Sequence, residues 1–91
     1  MFVVVSYDIA DDRRRIRMAK VLKAFGDRVQ RSVFECNLDE SELQKLLRRL
    51  KPLISEHEDS VRIYRLCAGC KSHVQIIGSG TVSEDPDLVV V

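Results

Sequence analysis

The chain has 91 residues, 45% of them apolar and 32% charged, with a formal net charge of +1. That suits one ordinary globular domain with a two-layer core, too small for a deep enzyme pocket. No apolar run approaches the ~18 residues of a membrane span, and a charge near zero, taken alone, argues against a nucleic-acid binder.

The first stretch, Phe2-Val3-Val4-Val5-Ser6-Tyr7-Asp8-Ile9, is β-branched and aromatic and turns polar at every second position. It reads as a strand entering the core. Val3, Val5, Tyr7 and Ile9 share one face; Val4, Ser6 and Asp8 share the other. Asp is unfavourable within a strand, so Asp8 either caps the following turn or carries chemistry.

Asp11-Asp12 offers an N-cap, and residues 13–25 read as a helix stopped by Gly26. Met18, Val21, Leu22 and Phe25 form its buried arc. Arg14 and Arg15 fall on that arc at the first turn. Core arginines are rare, so both are expected to overhang the sheet edge toward Asp8. Residues 28–38 read as a second strand whose apolar parity switches at Val33-Phe34, the mark of a bulge or bend. Asp39 caps a second helix with Glu42 as its capping-box partner. Leu43, Leu46, Leu47, Leu50 and Ile54 hold one face of it, and Pro52 ends or kinks it. Residues 61–66 and 74–77 read as further strands, Gly78-Ser79-Gly80 as a break, and residues 88–91 as a short terminal strand.

The order is read as βαββαβ plus that terminal strand, an α+β, ferredoxin-like arrangement over residues 1–78 with a tail at 79–91. Helices cover one face of such a sheet. The other face, with Val4 among its residues, is too apolar to stay bare, which predicts a homodimer packed sheet to sheet. The strand at 88–91 would join the partner's sheet edge.

Charge is segregated along the chain. Between residues 13 and 31 stand Arg13, Arg14, Arg15, Arg17, Lys20, Lys23, Arg28 and Arg31 against the single acid Asp27. A run of this kind is ordinarily a solvated face, yet it can also make a local positive surface on a nearly neutral protein. The N-terminal stretch has no basic segment and no small-residue cleavage pattern, so a cytoplasmic protein is expected. Cys36, Cys67 and Cys70 are an odd set and imply no disulfide framework. Cys67-x-x-Cys70 has half the ligands of a Cys₄ zinc site; a local disulfide, a redox pair and a tight turn are its alternatives, with a reduced structural turn expected. Cys36 is assigned to the core and His57 to a solvated turn, and His73 is a weak candidate as a third ligand to the Cys pair.

Tyr7-Asp8-Ile9 with Asp11-Asp12, Arg15-x-Arg17, Gly26-x-Arg28-Val29-Gln30-x-Ser32-Val33-Phe34-Glu35 and Asp59-Ser60-Val61-Arg62-Ile63-Tyr64 together resemble the CRISPR-associated Cas-two family. Cys67-x-x-Cys70 and Ile76-Ile77-Gly78 are similar to sequences in it too. The ordered set spans nearly the whole chain. The resemblance implies a ferredoxin-like dimer whose C-terminal strand crosses to the partner. It also implies metal-dependent endoribonuclease or deoxyribonuclease activity, and a place between two dimers of the Cas-one integrase during spacer acquisition. Asp8 matches the family's catalytic and metal-associated aspartate; Arg15, Arg17, Arg28 and Phe34 match positions tied to nucleic-acid handling or activity.

Mg²⁺ takes one or two protein carboxylates, and one chain offers only Asp8. A two-fold axis near Asp8 would bring a second copy alongside. Arg13, Arg14, Arg15, Arg17, Lys20, Arg28 and Arg31 are the candidates for phosphate contacts, which position a nucleic acid without reading its sequence. With no Trp, three Phe and two Tyr, single-strand stacking is a poor main mode, and the spacing of the basic residues suits backbone tracking along a duplex; the expected nucleic-acid partner is double-stranded DNA and/or single-stranded RNA. Two alternatives share this fold: a purely structural duplex-binding adaptor without physiological catalysis, and a VapD-like toxin ribonuclease. A heavy-metal chaperone is set aside because its Cys pair would follow the first strand.

Overall fold

The computed structural model describes residues 1–78, 80 and 82; the expected tail strand at 88–91 lies outside the described residues. The alternation read in the first stretch forms β1 (Phe2–Asp8), with Val3, Val5, Tyr7 and Ile9 all buried. Helix α1 (Asp12–Lys23) follows. Next come β2 (Asp27–Gln30) and β3 (Val33–Asn37), helix α2 (Glu40–Leu50) with a 3-10 turn over Lys51–Leu53, β4 (Ser60–Leu66) and a short helix α3 (Ala68–Lys71). The sheet is antiparallel in the order β2-β3-β1-β4, so β1 is central and pairs on both sides.

The expected βαββαβ order is present, but two of its strands differ from the sequence reading. Residues 28–38 are not one kinked strand. They form a hairpin whose register shifts between Arg28 and Gln30, so the parity switch marks a reversal rather than a bend. Residues 74–77 carry no regular structure; β4 stands at the edge of the sheet, with β1 as its one strand partner among the described residues.

Both helices cover the face bearing Val3, Val5, Tyr7, Phe34 and Cys36. Met18, Ala19 and Leu22 from α1 and Leu43, Leu46 and Leu50 from α2 complete the core. Each fully buried Leu there contributes roughly 1.5–3 kcal/mol by leaving water. The predicted caps form. Asp11 accepts from the Arg14 backbone N–H. Asp39 and Glu42 bond reciprocally, at 2.7 and 3.1 Å.

Gly26 lies two residues past the C-cap Ala24, at a negative φ. What requires glycine there is space: a Cβ would lie 2.3 Å from the Glu35 carbonyl oxygen and 2.5 Å from Cys36 Sγ. The register places Val4, Ser6 and Asp8 on the uncovered face beside Val33, Glu35, Arg62 and Tyr64, with Tyr64 exposed.

Candidate active site and nucleic-acid interface

Asp8 ends the central strand opposite Ser60. It is exposed, and among the described residues no hydrogen bond or ion pair engages its carboxylate. Its side chain is shared by two shallow clefts. One, of about 340 Å³, is lined by Asp8, Ile9, Arg15, Arg28, Arg31 and Ser32. The other, of about 250 Å³, is lined by Ser6, Tyr7, Asp8, Ser60, Arg62 and Tyr64. A larger cleft of about 620 Å³ lies at the other end of β3, between Phe25 and Arg49. Its mixed charges and distance from Asp8 give it no part in phosphate chemistry.

The eight predicted nucleic-acid residues separate into three groups. Arg15, Arg28 and Arg31 converge beside Asp8. Arg15 is oriented by donating from Nη1 to the Ile9 carbonyl at 2.8 Å and by pairing with Asp12. Arg28 donates from Nε and Nη2 to the Arg31 carbonyl, at 3.2 and 2.7 Å, which closes the hairpin turn. Arg13, Arg17 and Lys20 lie exposed on α1 and line neither cleft beside Asp8.

Arg14 departs from its expected position, and Phe34 stands beneath the surface. Arg14 does not overhang toward Asp8; it is held by Asp59 and Glu58. Phe34 is fully buried and offers no surface to a nucleic acid. It stacks on Tyr7, with centroids 6.3 Å apart, and lies beneath the Arg28 guanidinium at 5.7 Å, so it supports the arginine.

The residue that sequence reasoning missed is Asp59. Its side chain has no exposed surface and accepts from Arg14 Nε at 2.9 Å, Ala10 N at 3.1 Å and Ser55 N at 2.9 Å. The Arg14 guanidinium, helped by the Ser55 N–H, holds the Asp59 carboxyl down at about 2, against the opposing effect of its burial. The bond from Arg14 to Asp59 raises the Arg14 pKa in turn. Asp59 thereby ties the loop after Asp8, the start of α1 and the start of β4 together. The signal available in the sequence was an acid directly preceding a strand, which Glu58-Asp59 leaves ambiguous.

Asp8 is an exposed carboxylate with no protein partner among the described residues, a fitting donor for a hard divalent cation that keeps most of its waters. Among the described residues, no group of three or more His, Cys, Asp or Glu side chains could hold a metal within one chain. Asp8 is the one carboxylate among the residues lining the two clefts.

Residues 1–74 match the family model for CRISPR associated protein Cas2. The chain is 47% identical over 85 residues to CRISPR-associated endoribonuclease Cas2 1 of Chloroflexus aurantiacus, covering 92% of this chain and 91% of that one. Among solved structures it is similar to Streptococcus pyogenes Cas2, at 35% identity and a TM-score of 0.77, covering 86% of this chain and all of that one. A chain of a partial Cas6-RT-Cas1–Cas2 complex shares the fold, with a TM-score of 0.78 at 23% identity over 99% of this chain and 98% of that one. The residues that suggested the Cas-two resemblance are thus those of a true member: this chain belongs to the CRISPR-associated Cas2 family.

Proposed function

We propose that this chain is a cytoplasmic, metal-dependent phosphodiester endonuclease that works as a homodimer and binds nucleic acid in CRISPR adaptation. The observation that carries the reading is the unpartnered Asp8 carboxylate at the end of the central strand, beside Arg15, Arg28 and Arg31. Its relative from Chloroflexus aurantiacus bears the name endoribonuclease.

Two copies meeting through their uncovered sheet faces would bury Val4 and Tyr64 and draw the two Asp8 carboxylates toward one axis. Asp8 from each copy would hold a divalent ion, Mg²⁺ being the first choice. When bound, that ion supplies charge neutralisation and water activation. Arg31, whose guanidinium has no partner among the described residues, and the partly engaged Arg15 and Arg28 orient the phosphate and offset its charge. No imidazole lines either cleft. Asp8→Ala tests the catalytic reading: the variant folds and dimerises but loses metal-dependent cleavage of RNA and DNA.

A second reading is favoured by the placement of Arg13 and Arg17 away from Asp8. They extend the positive surface along α1, as backbone tracking on a duplex requires. In this adaptor role the dimer bridges copies of the Cas1 integrase; a chain of a partial Cas6-RT-Cas1–Cas2 complex has the same fold. Charge reversal at Arg13 and Arg17 then abolishes duplex binding, whereas Asp8→Ala leaves it intact.

A further inference from the structure

The pair Cys67 and Cys70 has no part in that reading, and its geometry is specific. Both thiols are free and exposed, with their Sγ atoms 3.1 Å apart. Cys67 Sγ also accepts the Cys70 backbone N–H at 3.4 Å. The turn is fixed from within by Lys71 N donating to the Cys67 carbonyl at 3.1 Å, His73 N to the Cys70 carbonyl at 3.0 Å and Ser72 Oγ to the Gly69 carbonyl at 2.7 Å. Lys71 anchors it to the sheet, with Nζ donating to Asn37 Oδ1 at 3.4 Å and standing 5.2 Å over the Phe2 ring. The two sulfurs are therefore held together on a rigid support and need to close by only about 1 Å to reach disulfide length.

We infer that Cys67 and Cys70 form a thiol–disulfide exchange site whose substrate is the disulfide of a low-molecular-weight thiol. The Cys67 thiolate, having released its proton to solvent, attacks one sulfur of the disulfide RSSR. A Cys67–SR bond forms, the S–S bond breaks, and RS⁻ leaves and takes up a proton. Cys70 then loses its proton and attacks Cys67 Sγ, giving the Cys67–Cys70 disulfide and expelling the second RS⁻, which is protonated in turn. Two thiols lose two electrons and two protons; one disulfide is reduced to two RSH.

The order of attack follows from the asymmetry of the pair. With the Cys70 side chain alongside, the Cys67 pKa lies below its ordinary value. Cys67 Sγ accepts the Cys70 backbone N–H at 3.4 Å, a bond made to Cys67 and not to Cys70 that favours the Cys67 thiolate. A stabilised, accessible thiolate is the attacking group in such pairs. Cys36 is the internal contrast: buried in the core, its thiol is pushed up to about 11 by desolvation. A metal role has less support, since among the described residues no third ligand completes a site.

The test is to incubate the full-length reduced protein with oxidised glutathione and count and map the alkylatable thiols. The expected result is loss of two thiols per chain, a peptide linking Cys67 to Cys70, and Cys36 alkylated only after unfolding. Cys70→Ser accumulates glutathione on Cys67, whereas Cys67→Ser reacts at Cys70 more slowly by ~10-fold. An unchanged thiol count, chain-to-chain disulfides or equal reactivity of the two variants overturns the assignment. So does a zinc ion retained through metal-free buffer that blocks both thiols.

Discussion

Arg14 and Asp59 are joined by two hydrogen bonds, Nε to Oδ2 at 2.9 Å and Nη2 to Oδ1 at 3.3 Å, across 45 residues of chain. The carboxylate is inaccessible while the guanidinium side chain is 27% exposed. Removing the arginine leaves a buried charge with only two backbone donors, which is far costlier than losing a surface pair. Arg14→Ala is therefore expected to lower the urea midpoint without changing the slope, and by clearly more than Glu58→Ala, whose carboxylate is 61% exposed. Equal effects from the two variants would contradict a structural role for Asp59.

The same bond sets a pH window. The folded-state value of Asp59, about 2, lies below the ordinary ~3.9. Between these values the unfolded chain binds the proton that the folded chain does not. The contribution of Asp59 is thus complete above ~pH 4 and is lost as pH falls through ~2. Urea midpoints measured down this range should decline in the native chain, and Asp59→Asn should flatten that part of the decline.

Gly26→Ala is expected to destabilise the fold. The added methyl would meet the Glu35 carbonyl and Cys36 Sγ at 2.3 and 2.5 Å, both on β3, which cannot retreat without disturbing the sheet. Overpacking of this kind costs about 1–3 kcal/mol. Thermal melting checks it, with Gly69→Ala as the comparison, since a methyl there meets only Cys67 Sγ at 3.9 Å.

Arg31→Ala should weaken nucleic-acid binding and reduce the slope of log affinity against log salt by ~1 per lost phosphate contact. Phe34→Leu is expected to act indirectly, loosening Arg28 over its ring and lowering stability as well as binding. Titrations at several salt concentrations separate the two.

Much of this was legible in local pattern. The period-two alternation of residues 2–9 placed Val3, Val5, Tyr7 and Ile9 in the core and Asp8 on the opposite face, and the Asp39–Glu42 box announced α2. The hairpin was not legible, because Arg31-Ser32 offers only Ser32, among the weaker turn formers, and no Gly, Pro or Asn to mark a turn. It is closed by the Arg28 side chain on the Arg31 carbonyl, a contact that no periodicity encodes. The partners of Arg14 escaped for a related reason: Asp59 stands beside Glu58 with nothing local to distinguish them, and only the packing of the loop at Ser55 against Ala10 buries one and leaves the other in water. Residues 74–77 misled in the opposite sense: an apolar run meets the strand pattern locally, but strand pairing is a tertiary outcome, and these residues do not form it.

The central claim is that two chains together complete what Asp8 begins. Titrating Mn²⁺ into the purified protein, with bound metal read by magnetic resonance and chain mass by light scattering, tests it most directly. The account predicts one tightly held ion for every two chains, lost in Asp8→Ala while the dimer persists. One ion per chain, or binding unaltered by Asp8→Ala, would contradict it.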